Sequence, residues 1–302
     1  MRQPPGRRAG FQDGNARIIA PEAARKAKKE AGWLRYPGRS RPWRAVDRAA
    51  STHRIVCATF TGVRDPREAL RLHRWDLTPA EGRDLQQTWR SRVGRRGSLP
   101  ARRLHFVAGA DLAFDLHGQS GVAIAGVVLF SYPDWQEIES AAACCPLTFP
   151  YVPGLLSFRE IPAILAALGG LRRAPDLIFC DGQGYAHPRR FGLASHLGVL
   201  LDLPTIGCAK SRLIGEHAEP GRERGCWSPL LHQGERIGAA LRTRAGSRPM
   251  YISIGHGLSL ERAIALTLEA GEPAGRSRVP RPTQRADRFV ARIKRERMPA
   301  AE

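Results

Sequence analysis

Residues 176–213, DLIFCDGQGYAHPRRFGLASHLGVLLDLPTIGCAKSRL, decide the fold. Leu177 to Cys180 is an apolar run of buried-strand length, and it ends on Asp181 and Gly182. A glycine-punctuated loop to Pro188 carries His187, with Arg189 and Arg190 directly after it. Apolar residues at Leu193, Leu197, Leu200 and Leu201 then recur at helical spacing until Leu203 and Pro204 close the helix. A second apolar run, Thr205 to Ala209, delivers Lys210. The pattern predicts a strand–helix–strand unit with a carboxylate and an ammonium at the carboxyl ends of its strands. In open α/β sheets that edge binds ligands. An aspartate at a strand end also serves as ordinary turn chemistry. What points to a site is the density of polar groups in a unit that otherwise reads as core.

Composition narrows the partner. Lys and Arg outnumber Asp and Glu by 48 to 28, a net charge of +20, although much of the excess is Arg in the terminal segments. Such a balance favours a polyanion, nucleic acid before acidic membrane. No apolar run approaches the roughly 20 residues that span a bilayer. The start lacks the apolar segment of a signal peptide, so a cytoplasmic protein without a membrane partner is expected. The six cysteines form no C-x-x-C pair, and Cys180 and Cys208 fall in predicted strands as reduced core residues.

Residues 1–75 differ from the rest, with eighteen Lys and Arg against six acidic residues and frequent Pro and Gly. They read as a disordered basic extension with a short helix near 22–31 and an apolar patch at 55–60. Such an arm adds affinity for a phosphate backbone; the alternative is an over-long chain start with no role. The folded domain is expected over 76–297, with a tail at 298–302. Thr78 and Glu81 form a capping box for a helix running to about Val93, followed by a basic loop, Arg95 to Arg103. Strands at 104–112, 122–132 and 137–145 suggest an antiparallel meander. A helix is expected from Ser157 to Gly169, strands at 237–242 and 250–254, a turn at Gly255–His256–Gly257, a helix capped by Ser259, and a last helix from Thr283. Residues 211–235 read as a polar loop.

Three acidic residues stand out: Asp111 inside an apolar strand, Glu160 in the first turn of a helix, and Asp181 after the central strand. A carboxylate in an apolar strand is costly unless something pairs it. Several brought together repel unless a divalent cation neutralises them, and Mg2+, with oxygen ligands and retained waters, suits such a set. Phosphodiester hydrolysis is commonly run on that arrangement. Lys210 could orient the nucleophile or offset charge on the phosphate, or be a plain surface residue. His187 and His256 read as metal ligands, phosphate contacts, proton carriers or structural groups, and no H-x-x-x-H pair supports zinc. No Walker A loop or G-x-S-x-G elbow is present.

PYVPGLLSFRE at 150–160, DGQGYAHPRRFGLASHLG from 181 and PTIGCAKSRL at 204–213 resemble the signature blocks of the endonuclease V family. VAGADLAFD at 107–115, SIGHGLS at 253–259 and RPTQRADRF at 281–289 are similar to further patterns of that family. The resemblance covers about residues 76–297. It implies a ribonuclease-H-like α/β fold, a mixed sheet flanked by helices, and a DNA repair nuclease. Such an enzyme cuts the second phosphodiester bond 3′ to a deoxyinosine, leaving 3′-hydroxyl and 5′-phosphate ends. By position, Asp111, Glu160 and Asp181 would hold Mg2+, or Mn2+ as a substitute. Lys210 would be the catalytic lysine, with His256 near the metal and scissile phosphate. Pro150, Tyr151, Val152 and Pro153 would form a strand-separating wedge. Gly154, Leu156, Gly182, Gly184 and Leu213, with His187 close by, would line the base pocket. Gln183 departs from a histidine frequent in relatives. Two other readings compete: an inactive nucleic-acid-binding module on the same basic surface, and a nuclease acting on inosine in RNA. The expected partner is thus inosine-containing DNA, with RNA as the alternative and no obligate protein partner.

Overall fold

The fold is built around Leu177–Cys180, every residue of which is buried. In the computed structural model, which describes residues 63–96, 104–117, 120–272 and 275–297, this run is strand β4 at the middle of an eight-stranded sheet. Strands β1 (Phe106–His117), β2 (Ser120–Ser131) and β3 (Glu137–Pro146) form the expected antiparallel meander on one side. Strand β5 (Thr205–Ala209) lies on the other side of β4, and β1, β4 and β5 run parallel. Parallel neighbours need crossovers, supplied here by helices α3 (Ser157–Leu168) and α4 (Leu193–Leu201). Antiparallel strands β8 (Met250–His256), β7 (Glu235–Leu241) and β6 (Trp227–His232) complete the order β3-β2-β1-β4-β5-β8-β7-β6.

Alternation along the strands divides the core into two layers. On one face α3 and α4 pack with α1 (Pro66–Ala69) and α2 (Pro79–Trp89) through Trp89, Ile161, Leu165, Leu197 and Leu200. On the other, α5 (Leu260–Glu269) and α6 (Arg281–Arg297) cover Val107, Phe179, Ile206 and Ile252. Each fully buried side chain of this kind contributes roughly 1.5–3 kcal/mol relative to exposure. Helix α6 crosses directly over β1: a Cβ on Gly109 would lie 2.0 Å from the Pro282 carbonyl oxygen.

Several expectations hold and others are corrected. The Thr78–Glu81 capping box is made in both directions, and α2 ends at Trp89 in a short 3-10 turn, Arg90–Arg92. Cys180 and Cys208 are free and buried. The domain starts earlier than residue 76. Arg64 donates its backbone N–H to the Leu201 carbonyl, Ala69 is fully buried, and the Trp75 indole N–H bonds the Leu70 carbonyl. Residues 1–62, including the expected short helix and apolar patch, and 298–302 lie outside the described residues. The segment 211–235 is not all loop, because it contains β6. An edge strand exposes alternate residues and tolerates Pro229, so its pattern reads as polar loop. His256 is the last residue of β8, and the turn follows it at Gly257, with φ +70°.

Candidate active site

Strand register brings the acidic residues to one edge. Ala110 pairs with Cys180 across β1 and β4, so the next residues, Asp111 and Asp181, leave the ladder side by side. The Asp181 backbone N–H donates to the Ala110 carbonyl at 3.2 Å. Strand β5, parallel to β4, ends on the same edge and presents Lys210, whose Nζ lies 2.5 Å from Asp181 Oδ2. A residue of α6 joins them: Asp287 Oδ2 is 3.9 Å from the same Nζ. Glu160 reaches the group from the first turn of α3.

Electrostatics show how closely these groups act on one another. Burial, then the Asp181 charge, pushes the Asp111 carboxyl up to about 7. Burial, then the charges of Asp111 and Asp181, pushes Glu160 up to about 8. Burial alone would lower the Lys210 ammonium. Its hydrogen bond to Asp181 and the charges of Asp181, Asp287 and Asp111 together outweigh that and raise it. Carboxyls that keep protons near neutrality are starved of positive charge, and they are hard oxygen donors of the kind Mg2+ and Mn2+ take. In donor chemistry Asp111, Glu160 and Asp181 therefore fit a divalent cation, with Asp287 alongside. As the side chains stand, no three His, Cys, Asp or Glu among the described residues converge as a closed cation cage, and Lys210 sits on an Asp181 oxygen.

A second feature adjoins this edge. The loop before α3 projects Tyr151 into solvent, 68% exposed, between the exposed Pro150 and Pro153. Val152 beneath it packs on Phe149, Leu155 and Phe158. Gly154 turns the chain with φ +78°, where a side chain would be strained. Its carbonyl accepts from His187 Nε2 at 3.0 Å. His187 is buried, and that burial, with Arg189 adding to it, holds the imidazole down at about 4. Gly182 and Gly184 lie in the loop leaving β4. That loop folds tightly over β5: a Cβ on Gly207 would fall 2.5 Å from Gly184 N and 2.7 Å from Gly182 O. Leu156 is half-buried just before α3, and Leu213 is 48% exposed.

A family model described as Endonuclease V matches residues 87–288. The chain belongs to the endonuclease V family. Endonuclease V of Roseiflexus sp. (strain RS-1) is 50% identical over 217 residues, covering 72% of this chain and 94% of the relative. The crystal structure of the Streptomyces avermitilis endonuclease V is 43% identical with a TM-score of 0.68, over 74% of this chain and 96% of that one. The Ciona intestinalis endonuclease V, solved with a 24mer DNA containing an inosine followed by a ribo-adenosine, is 26% identical with a TM-score of 0.62. There 72% of this chain and 98% of that one are covered. Endonucleases V are metal-dependent DNA endonucleases, in keeping with the acidic donor set.

In this endonuclease V chain the fold brings Asp111, Glu160, Asp181 and Lys210 together and places His256 elsewhere on the sheet. Strand β8 runs antiparallel to β5 and His256 pairs with Thr205, at the far end of β5 from Lys210. Five residues of strand separate them, about 16 Å at about 3.3 Å each. There His256 Nδ1 accepts from the Gly94 N–H at 3.2 Å, and Nε2 lies 3.4 Å from Asp202 Oδ1. Burial outweighs Asp202 and lowers its pKa. The residue missed from sequence is Asp287. Its one signal was an acidic side chain in RPTQRADRF, an otherwise basic stretch.

Proposed function

We propose that this endonuclease recognises inosine in DNA and, with Mg2+ or Mn2+, hydrolyses the second phosphodiester bond on its 3′ side, leaving 3′-hydroxyl and 5′-phosphate ends. The observation that carries this reading is the set of half-buried carboxyls gathered beside the β4 end, Asp111 on β1 held at about 7, Glu160 on α3 at about 8, and Asp181, which pairs with Lys210. The DNA with inosine in the Ciona structure supports inosine as the lesion. Asp111, Glu160 and Asp181 would hold the cation, with Asp287 at its flank. A divalent cation supplies Lewis acidity there: it lowers the pKa of water and stabilises the leaving oxygen.

The chain's own groups do the rest. Lys210, now paired with Asp181 and near Asp287, is placed to offset charge that develops on the phosphate. Tyr151, held out on a proline-stiffened loop, offers an aromatic face to a base beside the gap left by an extruded nucleotide. On the family resemblance, Gly154, Leu156, Gly182, Gly184, His187 and Leu213 would line the pocket that takes that base.

The test incubates the protein and Mg2+ with matched DNA and RNA strands bearing a single inosine, and maps the cut at nucleotide resolution. A cut at the second bond 3′ to inosine in DNA is expected, with Asp181→Ala binding but not cutting, because phosphate contacts do not depend on that carboxylate. Turnover by Asp181→Ala at saturating Mg2+, or equal cutting of lesion-free DNA, would overturn the assignment. Faster cutting of the RNA strand would make RNA the substrate.

A further inference from the structure

The Gly154 carbonyl accepts three hydrogen bonds, two from the loop after β4 and one from α2. Arg189 Nη2 donates at 2.7 Å, His187 Nε2 at 3.0 Å and Gln86 Nε2, from α2, at 3.1 Å. The donors are themselves tied together. Arg189 Nε donates to Gln86 Oε1 at 2.5 Å, and Gln86 Nε2 also reaches the Phe191 carbonyl at 3.1 Å. The Arg189 backbone N–H donates to His187 Nδ1 at 3.3 Å, which fixes the tautomer with the proton on Nε2. Gln86 is 1% exposed and His187 3%, so both amide ends of Gln86 are satisfied within a dry network.

That much polar bonding on one carbonyl has a mechanical result. Gly154 is the corner of the loop that carries Tyr151, and the Leu155 N–H closes a turn onto the Val152 carbonyl at 2.9 Å. Upstream, Arg159 Nη1 donates to the Phe149 carbonyl at 2.7 Å. The loop is thus anchored on both sides, with only its tip free. A wedge that parts two strands works by arriving in its final geometry, since ordering it on contact would cost affinity.

We infer that Gln86 and Arg189 are positioning residues for lesion recognition: they clamp the Gly154 carbonyl and so hold the Tyr151 loop in its inserting geometry. This rests on the wedge reading of that loop. Arg189 then acts through the loop and not by contacting the DNA backbone.

The test uses the full chain and three probes: a duplex with one inosine, the matched duplex without it, and the single inosine strand. A wedge matters only where there are two strands to part. Arg189→Ala and Gln86→Leu should weaken binding of the inosine duplex by roughly tenfold, the scale of one charge-assisted hydrogen bond, and leave the single-strand affinity unchanged. Arg189→Lys should recover little, because an ammonium cannot bridge Gln86 Oε1 and the Gly154 carbonyl as the fork does. A double-mutant cycle with Tyr151→Ala decides the route of action: once the tip is gone, Arg189→Ala should cost little more. Additive losses would overturn the clamp and make Arg189 a direct DNA contact. Equal losses on duplex and single strand, in step with melting temperature, would overturn it in favour of general stability. If Tyr151→Ala itself leaves the inosine duplex unaffected, the wedge reading fails and takes the clamp's purpose with it. A Tyr151 effect with no Arg189 or Gln86 effect removes the clamp alone.

Discussion

Binding of a divalent cation should release protons near neutral pH. Ordinary carboxylates are already ionised at pH 7 and would release none. Here Asp111 titrates at about 7 and Glu160 at about 8, both held up first by burial and then by their acidic neighbours. Both groups therefore hold protons near pH 7, so a cation that ionises them displaces roughly one to two protons. The release grows towards pH 6 and fades towards pH 9 on the same two titrations. Calorimetry of Mg2+ binding without DNA, repeated in two buffers of different ionisation enthalpy, counts these protons directly. The same two groups set a stability trend. Their folded pKa values lie above the ordinary 3.8 and 4.5, so the stability they contribute is complete below those values and is lost as pH rises through 7 and 8. Each group removes up to about 1.4 kcal/mol per pH unit in that window. The cation-free protein should therefore melt lower at pH 9 than at pH 6, and saturating Mg2+ should narrow the gap. Identical binding heats in both buffers at pH 7 would mean that the carboxyls are already ionised, and the electrostatic account of the site would be wrong.

Three further outcomes follow from the geometry. Tyr151→Ala should weaken binding to inosine-containing duplex by roughly 1–3 kcal/mol, the worth of a base–aromatic stack, with melting temperature unchanged because the ring is 68% exposed; a large fall in melting temperature would show that the ring packs. His256→Ala should keep cleavage near the wild-type rate while lowering melting temperature, since it holds the Gly94 N–H at the far end of β8; loss of cleavage in a folded variant would restore it to the active site. Gly207→Ala forces a Cβ to within 2.5 Å of Gly184 N and should displace the loop that follows Asp181. Misplacement by about 1 Å costs on the order of a hundredfold in rate, so kcat should fall far more than stability does, and an unchanged kcat would show that the loop has room to move.

Local chemistry was legible without coordinates. The β4–α4–β5 unit, the Thr78–Glu81 cap and the α3 start each depend on residues within a few positions of one another, so periodicity and capping sufficed. Asp111, Glu160, Asp181 and Lys210 were also reachable, because polar groups at the ends of apolar runs are conspicuous, and the resemblance to endonuclease V assigned them roles. Tertiary contact decided the remainder. His256 was expected beside the phosphate, but a sequence does not show which way a strand runs in its sheet; antiparallel pairing of β8 with β5 carries His256 to the opposite edge. Asp287 lies 77 positions after Lys210, 287 less 210, and meets it where α6 packs across β1, close over Gly109. Gln86 looked like one polar residue in an amphipathic helix until the fold buried it against the Gly154 carbonyl. Hydrogen bonds and charges act over a few ångströms of space, whatever the chain distance between their partners, and which distant residues come that close is decided by the packing of the sheet and its two helical layers.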